Sequence, residues 1–335
     1  MNNIIILTKE SKEGQKLHQA LCAFDDMFKD IPVYTKEDLL YSPQLSQQCE
    51  VIFSSWYMPV FTKEEVASFF PSLQAIFYAA GTTKYFAEPF WANNVRIFSA
   101  SQANGLPVAE FVAAQIILAN KGYYQASKRY KWPMWPKRFA KAREFSCCHA
   151  GNYNAKIGII GCGSVGTNVV KLLQSYKLSI YVYDPFVADQ KIKDLGAEKI
   201  ELKDLFSICD VISNHLPDLP ETRGILNYGL FSIMKPTATF INTGRGRQVV
   251  ESDLARVLRK NRKMCALLDV TTHEPLFPWS PLYRCSNIFF TPHIAGSLSN
   301  EYDRLAEYMW RAYEDVKLGQ PNSCEIIPDQ MSFKA

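Results

Sequence analysis

The stretch Lys156-Ile157-Gly158-Ile159-Ile160 leads directly into Gly161-Cys162-Gly163-Ser164-Val165-Gly166, and Val169, Val170, Leu173 and Tyr176 follow at helical spacing. Strand, GxGxxG and helix therefore stand in the order that a phosphate-binding βα turn requires. The first glycine permits the tight turn, the second lets backbone approach a pyrophosphate, and the third lets helix and strand pack closely. The helix N-terminus then faces the anion. Alone the motif often marks an ordinary turn. Here the next apolar run, Ser179 to Tyr183, ends at Asp184, 18 residues beyond Gly166, where a carboxylate can accept hydrogen bonds from ribose hydroxyls. That carboxylate would repel a 2′-phosphate, and no arginine follows it closely, so the pattern predicts NAD rather than NADP.

Outward from this turn the pattern is regular. Apolar runs at 157–160, 179–183, 210–213, 238–241, 266–270 and 287–290 alternate with helix-length segments, as in a doubly wound parallel sheet buried on both faces. Before residue 101, shorter runs at Ile4 to Leu7, Val51 to Phe53, Ala75 to Ala79 and Arg96 to Ser99 predict a separate, smaller α/β domain. Leu106-Pro107 opens a helical pattern through Val108, Phe111, Val112, Gln115 and Ile116, with Pro107 expected in the first turn and a domain crossing there.

The 335 residues correspond to about two domains at roughly 150 residues each. Apolar residues at 47% and charged residues at 21% exclude a disordered chain. No apolar run approaches the ~18 residues of a membrane span, so neither a signal peptide nor an anchor is expected. Lys plus Arg, 37, against Asp plus Glu, 33, leaves +4, too weak to argue for nucleic acid. Nine scattered cysteines without a CxxC pair read as reduced thiols of a cytosolic protein. Residues 121–143 differ: eight Lys or Arg and no acid, interleaved with Tyr123, Tyr124, Tyr130, Trp132, Trp135 and Phe139. Such a segment suits single-stranded nucleic acid, or an extended arm packed on a partner subunit, and the arm is the preferred reading. Cys147, Cys148 and His149 lack a fourth ligand at recognised spacing, so no metal is expected.

Ligands of an open parallel sheet bind beyond the carboxyl ends of its strands. After 210–213 come Asn214, His215 and Pro217. After 238–241 come Asn242, Thr243, Gly244, Arg245 and Gly246. Asp269 lies near the end of its run with Glu274 five residues on, and 287–290 leads to Thr291-Pro292-His293. One rim thus collects two histidines, an arginine and two carboxylates, the set needed for acid–base chemistry on an anionic substrate.

In order and spacing, these stretches resemble the D-isomer-specific 2-hydroxyacid dehydrogenase family. Gly161–Gly166, Asn214–Pro217 with Glu221-Thr222-Arg223-Gly224, Ile241–Gly246, Asp269–Pro275 and Thr291–Gly296 carry the likeness, over roughly residues 104 to 320. The resemblance implies a Rossmann-type doubly wound parallel sheet domain plus a flavodoxin-like α/β substrate domain. Residues 1–101 and 298–335 would bind substrate and 102–297 would bind NAD, with a return through a helix after His293. It assigns Arg245 to the substrate carboxylate and carbonyl, His293 to proton transfer, and Glu274 to pairing with His293, which should raise the histidine pKa. It places Gly161, Gly163, Ser164, Val165, Gly166, Asp184, Pro217, Thr222, Thr243, Gly244, Asp269 and Gly296 at the cofactor. His215 fits either that loop or a polar strand cap. Gly81 and Thr82, in Ala80-Gly81-Thr82, resemble the turn that binds the substrate carboxylate.

His149-Ala150-Gly151-Asn152-Tyr153 and Thr82-Thr83 depart from common family patterns, so the resemblance names no particular 2-hydroxy acid. It implies a homodimer acting on a small-molecule 2-keto or 2-hydroxy acid, with no nucleic-acid or membrane partner. Glu274 argues against formate dehydrogenase, in which a glutamine pairs the histidine. The remaining alternative is an NAD(H)-sensing partner protein resembling the C-terminal-binding corepressors.

Overall fold

The structure, a computed structural model, describes residues 3–130 and 136–328. The chain divides into two compact units, Met1–Gly105 with Ser297–Ala335, and Leu106–Gly296. The first unit begins with β1 (Ile4–Leu7), β2 (Val33–Tyr34), β3 (Val51–Ser54), β4 (Ala75–Tyr78) and β5 (Arg96–Ser99). The second contains β6 (Lys156–Ile160), β7 (Ser179–Tyr183), β8 (Glu198–Lys199), β9 (Val211–Asn214), β10 (Thr239–Asn242), β11 (Cys265–Leu268) and β12 (Ile288–Phe290). Finally β13 (Glu325–Ile326) returns to the first unit.

The first sheet has the order β13-β5-β4-β3-β1-β2, parallel except for the antiparallel edge pair β13·β5. Its parallel part, 2-1-3-4-5, is the flavodoxin-like order. The second sheet, β12-β11-β10-β9-β6-β7-β8, is parallel throughout, and the order in which the chain adds strands reverses between β6 and β9. Its ligand crevice is expected at that reversal, beyond the end of β6.

Consecutive side chains of a strand point to opposite sides, and in inner strands such as β1, β3, β9, β10 and β11 both sets are buried. In β1, Ile4 and Ile6 join one apolar core with Phe53 and Phe77, while Ile5 and Leu7 join another with Ile52 and Ile76. In β11, Ala266 and Leu268 face one layer, Cys265 and Leu267 the other. Helix Glu301–Lys317 closes the first core with Leu305, Ala306, Met309, Ala312, Tyr313 and Val316. Among the described residues no helix is long and apolar enough to cross a membrane.

Two local expectations are corrected. Helix Ser101–Ala119 begins five residues before Leu106, so Pro107 lies in its interior rather than its first turn. The polar start, Ser101-Gln102-Ala103-Asn104, carries little apolar periodicity and hid those turns. The segment after residue 121 is not an extended arm where it is described: it forms helices Tyr123–Arg129 and Pro136–Cys147. Gln125 anchors the first helix by donating to the backbone oxygens of Lys263 and Met264, and Lys128 donates to Ser286 O. Trp132 and Trp135 lie outside the described residues.

Candidate active site

At the end of β6, Gly161 has φ +89°, a left-handed conformation natural to glycine. A Cβ on Gly166 would lie 2.0 Å from the Gly161 oxygen, so the turn folds back on itself only without a side chain there. Gly163 differs: its Cβ would meet nothing within 4 Å. Helix Ser164–Leu173 starts at this opening with no side-chain cap. First-turn N–H groups of a helix lack intrahelical acceptors, so the opening presents donors to an anion. Ser164 is exposed there, while Val165 packs on the core beneath. The cradle fits a dinucleotide pyrophosphate.

Asp184 stands just past β7. One carboxylate oxygen accepts from Cys162 N at 2.8 Å, and the other from Phe186 N at 2.9 Å and Val187 N at 3.1 Å. These bonds tie the glycine turn to the end of the neighbouring strand and fix a negative charge beside it.

Arg245, Glu274 and His293 follow β10, β11 and β12, three adjacent strands of the second sheet. The first two loops are in backbone contact, since a Cβ on Gly246 would lie 1.9 Å from the Thr271 carbonyl carbon. Glu274 Oε2 sits 2.7 Å from His293 Nδ1, and its Oε1 accepts from Thr271 N at 3.2 Å. His293 is half-exposed, and its Nε2 has no protein partner among the described residues. The backbone of His293 has φ +53°, and its N–H donates to Asp269 O at 3.0 Å. Arg245 is partly buried and donates from Nη1 to Gly244 O at 2.8 Å. No carboxylate forms an ion pair with it among the described residues. A carboxylate-backed imidazole and an unpaired guanidinium thus share one rim.

The remaining candidates hold this rim together. Asp269, 4% exposed, accepts from Thr291 Oγ1 at 2.6 Å, Ile294 N at 2.9 Å and Ala295 N at 3.0 Å. It therefore ties down the turn carrying His293, and Gly296 follows directly. Thr222 Oγ1 donates to Pro217 O at 2.7 Å and accepts from Leu219 N, stapling the loop after β9. His215 contacts Ser213 Oγ at 2.9 Å and Thr243 Oγ1 at 3.4 Å, and burial pushes its pKa down to about 3. It is a neutral ring that bridges two loops. In the first unit, Gly81 O accepts from Ser99 Oγ at 2.7 Å, and Thr82 is partly exposed beside it. His149 Nδ1 lies 3.1 Å from Phe145 O, and among the described residues no group of three His, Cys, Asp or Glu is placed to hold a metal.

Sequence reasoning missed Gln248, which is wholly buried and bonded to the backbone of both the arginine loop and the loop after β9. It lies in no recognised motif and has no periodic signal.

The sequence profile described as "D-isomer specific 2-hydroxyacid dehydrogenase, NAD binding domain" matches residues 113–295. The D-3-phosphoglycerate dehydrogenase of Synechocystis sp. is 28% identical over 240 residues, covering 70% of this chain and 42% of that enzyme. The chain thus matches about two fifths of that relative's length. Among solved structures, the holo form of Rhodotorula graminis D-mandelate dehydrogenase superposes with a TM-score of 0.77 at 17% identity, covering 97% of both chains. The NAD-complexed D-isomer specific 2-hydroxyacid dehydrogenase of Lactobacillus delbrueckii ssp. bulgaricus gives 0.74 at 16% identity, covering 97% of this chain and 100% of that one. With a matched segment of more than half its length, the chain belongs to the D-isomer specific 2-hydroxyacid dehydrogenase family, and residues 113–295 are its NAD-binding domain.

Proposed function

We propose that the protein is an NAD-dependent oxidoreductase interconverting a small D-2-hydroxy acid and its 2-keto acid. The observation that carries this reading is the His293–Glu274 pair beside an unpaired Arg245, on consecutive strand ends of the sheet that bears the glycine cradle. When bound, NAD supplies the hydride carrier. This chain's side chains do the rest. The guanidinium of Arg245 is always charged and planar, so it grips a carboxylate and polarises the adjacent carbonyl, which a lysine's point charge does less well. Glu274 fixes the His293 ring with Nδ1–H directed at the carboxylate, leaving Nε2 to exchange a proton with the substrate oxygen. In reduction Nε2 donates that proton, and in oxidation it removes it.

Ser164, Val165 and the glycines of the cradle would hold the pyrophosphate, and Asp184 the ribose hydroxyls. Pro217, Thr222, Thr243, Gly244 and Gly296 line the loops beyond the same strand ends and would complete the cofactor site, with Asp269 acting through the turn it anchors. Residues 102–297 would form the cofactor domain, and residues 1–101 with 298–335 the substrate domain. Within the latter, Gly81 and Thr82 would contact the substrate carboxylate. A homodimer in the cytoplasm completes the proposal. The exposed Tyr123 and Phe139 on the basic helices, with Tyr130 just past the first of them, support the dimer, and sedimentation showing a dimer at micromolar concentration would check it.

The test follows NADH absorbance across a panel of 2-keto acids. Turnover of at least one supports the enzyme. Saturable NADH binding without consumption of any panel member would instead fit the sensor protein.

A further inference from the structure

Three amide side chains lie wholly buried beneath the arginine loop: Asn214 at 0%, Asn242 at 1% and Gln248 at 0% exposure. The backbone around them fixes which end of each amide points where. Gln248 Nε2 faces only acceptors, Leu216 O at 2.6 Å and Pro217 O at 2.9 Å, so its Oε1 is turned to Arg245 N at 3.2 Å. Asn242 Oδ1 accepts from Gly244 N at 3.1 Å, and its Nδ2 donates to Arg245 O at 3.3 Å. Asn214 Oδ1 accepts from Leu216 N at 3.3 Å. Its Nδ2 therefore points at the other two amides and donates to both Asn242 Oδ1 and Gln248 Oε1.

Each amide has partners at both ends, and reversing any one would set donor against donor or acceptor against acceptor. Both main-chain groups of Arg245 are held by the triad, and two carbonyls of the loop after β9 are held by the same Gln248. Gly244 completes the device, since a Cβ there would lie 2.9 Å from both Asn214 Nδ2 and Gln248 Oε1. A fully satisfied buried network rigidifies what it touches.

We propose that Asn214 and Gln248 are positioning residues that act through the Arg245 backbone, locking the substrate-binding arginine to the loop after β9 so that the two move as one. The proposal rests on the reading of Arg245 as the residue that binds the substrate carboxylate.

The test uses the full chain and oxamate, a non-reacting mimic of a 2-keto acid. Its binding to the protein–NADH complex is read by NADH fluorescence, beside the melting temperature and the affinity for NADH alone. The variants are Asn214→Leu, Gln248→Leu, their double, and Arg245→Ala. Each single variant takes from the other amide the one bond that joins them, Asn214 Nδ2 to Gln248 Oε1. The double replaces both with apolar side chains, so its melting temperature should fall by less than the two singles combined.

Oxamate affinity should not recover in the same way: the double variant should bind about tenfold more weakly than wild type, with NADH affinity also reduced, because the arginine loop is no longer placed. A purely structural role would let stability and oxamate affinity recover together, and that result overturns the proposal. Should the double fail to fold, Gln248→Met, close in size, carries the same expectation. Arg245→Ala separates the two levels. If it abolishes oxamate binding while the folded Asn214 and Gln248 variants bind within twofold of wild type, the positioning role is wrong and the reading of Arg245 stands. If Arg245→Ala itself binds oxamate like wild type, the functional reading falls and takes this proposal with it.

Discussion

Acid should weaken this fold through one histidine, and the size of the effect follows from its surroundings. Burial pushes the pKa of His215 down to about 3, against about 6.5 for an unperturbed histidine. The folded-state value lies below the unfolded one, so protons bind preferentially to the unfolded chain. The stability at stake is intact above about pH 6.5 and is lost as pH falls toward about 3. Each unit in that window costs about 1.4 kcal/mol, so at pH 5 the loss reaches about 2 kcal/mol. The residue keeps some exposure, which makes this figure a ceiling. Replacing the ring by the uncharged amide of His215→Gln should remove this pH dependence while retaining groups for Ser213 and Thr243 to bond. The assay is urea unfolding of both proteins at pH 7.5 and pH 5, comparing the change with pH rather than the absolute stabilities, so that other titrating groups cancel. If wild type and His215→Gln lose equal stability between the two values, His215 is not held neutral by its environment and the reasoning fails.

With a 2-keto acid that turns over, His293→Ala should lower kcat by about 100- to 10,000-fold while leaving NADH affinity within a few fold, and turnover near the wild-type rate would refute the proton-transfer role. Asp184→Ala should weaken NADH binding about tenfold and narrow the preference over NADPH, measured by fluorescence titration with each; an unchanged ratio would separate Asp184 from cofactor choice. Phe77 is wholly buried, with ring centroids 5.2 Å from Phe53, 4.9 Å from Phe98 and 5.6 Å from Tyr313. Phe77→Ala should cost about 3–5 kcal/mol in chemical denaturation, and a loss under 1 kcal/mol would mean that the first core repacks around the gap.

What the sequence made legible was what burial and backbone geometry impose directly. Strands inside two-sided sheets must be apolar along their length, and the runs at 157–160 and 179–183 fall within β6 and β7. Glycines forced by a positive φ or a backbone contact announced the turn after β6. The two-residue edge strands were invisible. Glu198-Lys199 in β8 is charged and pairs on one side only, with Tyr181 and Val182, so no hydrophobic signal marks it. The helix at 123–129 was obscured because its anchor is tertiary: the carbonyls that Gln125 caps lie almost 140 residues away in sequence. At the site, Asn214 and Asn242 could be picked out as strand-end residues, but nothing local to Gln248 says that its amide will meet them.

The first sheet is assembled from two distant parts of the chain. Its cover helix, Glu301–Lys317, and its edge strand β13, paired through the Arg96–Glu325 ion pair, come from beyond the whole second unit. During synthesis the early strands must wait, with Phe53 and Phe77 lacking one wall, while nearly two hundred residues of the intervening unit emerge. The unit that begins first is thus completed last, and until its cover helix arrives that apolar face lacks its roof.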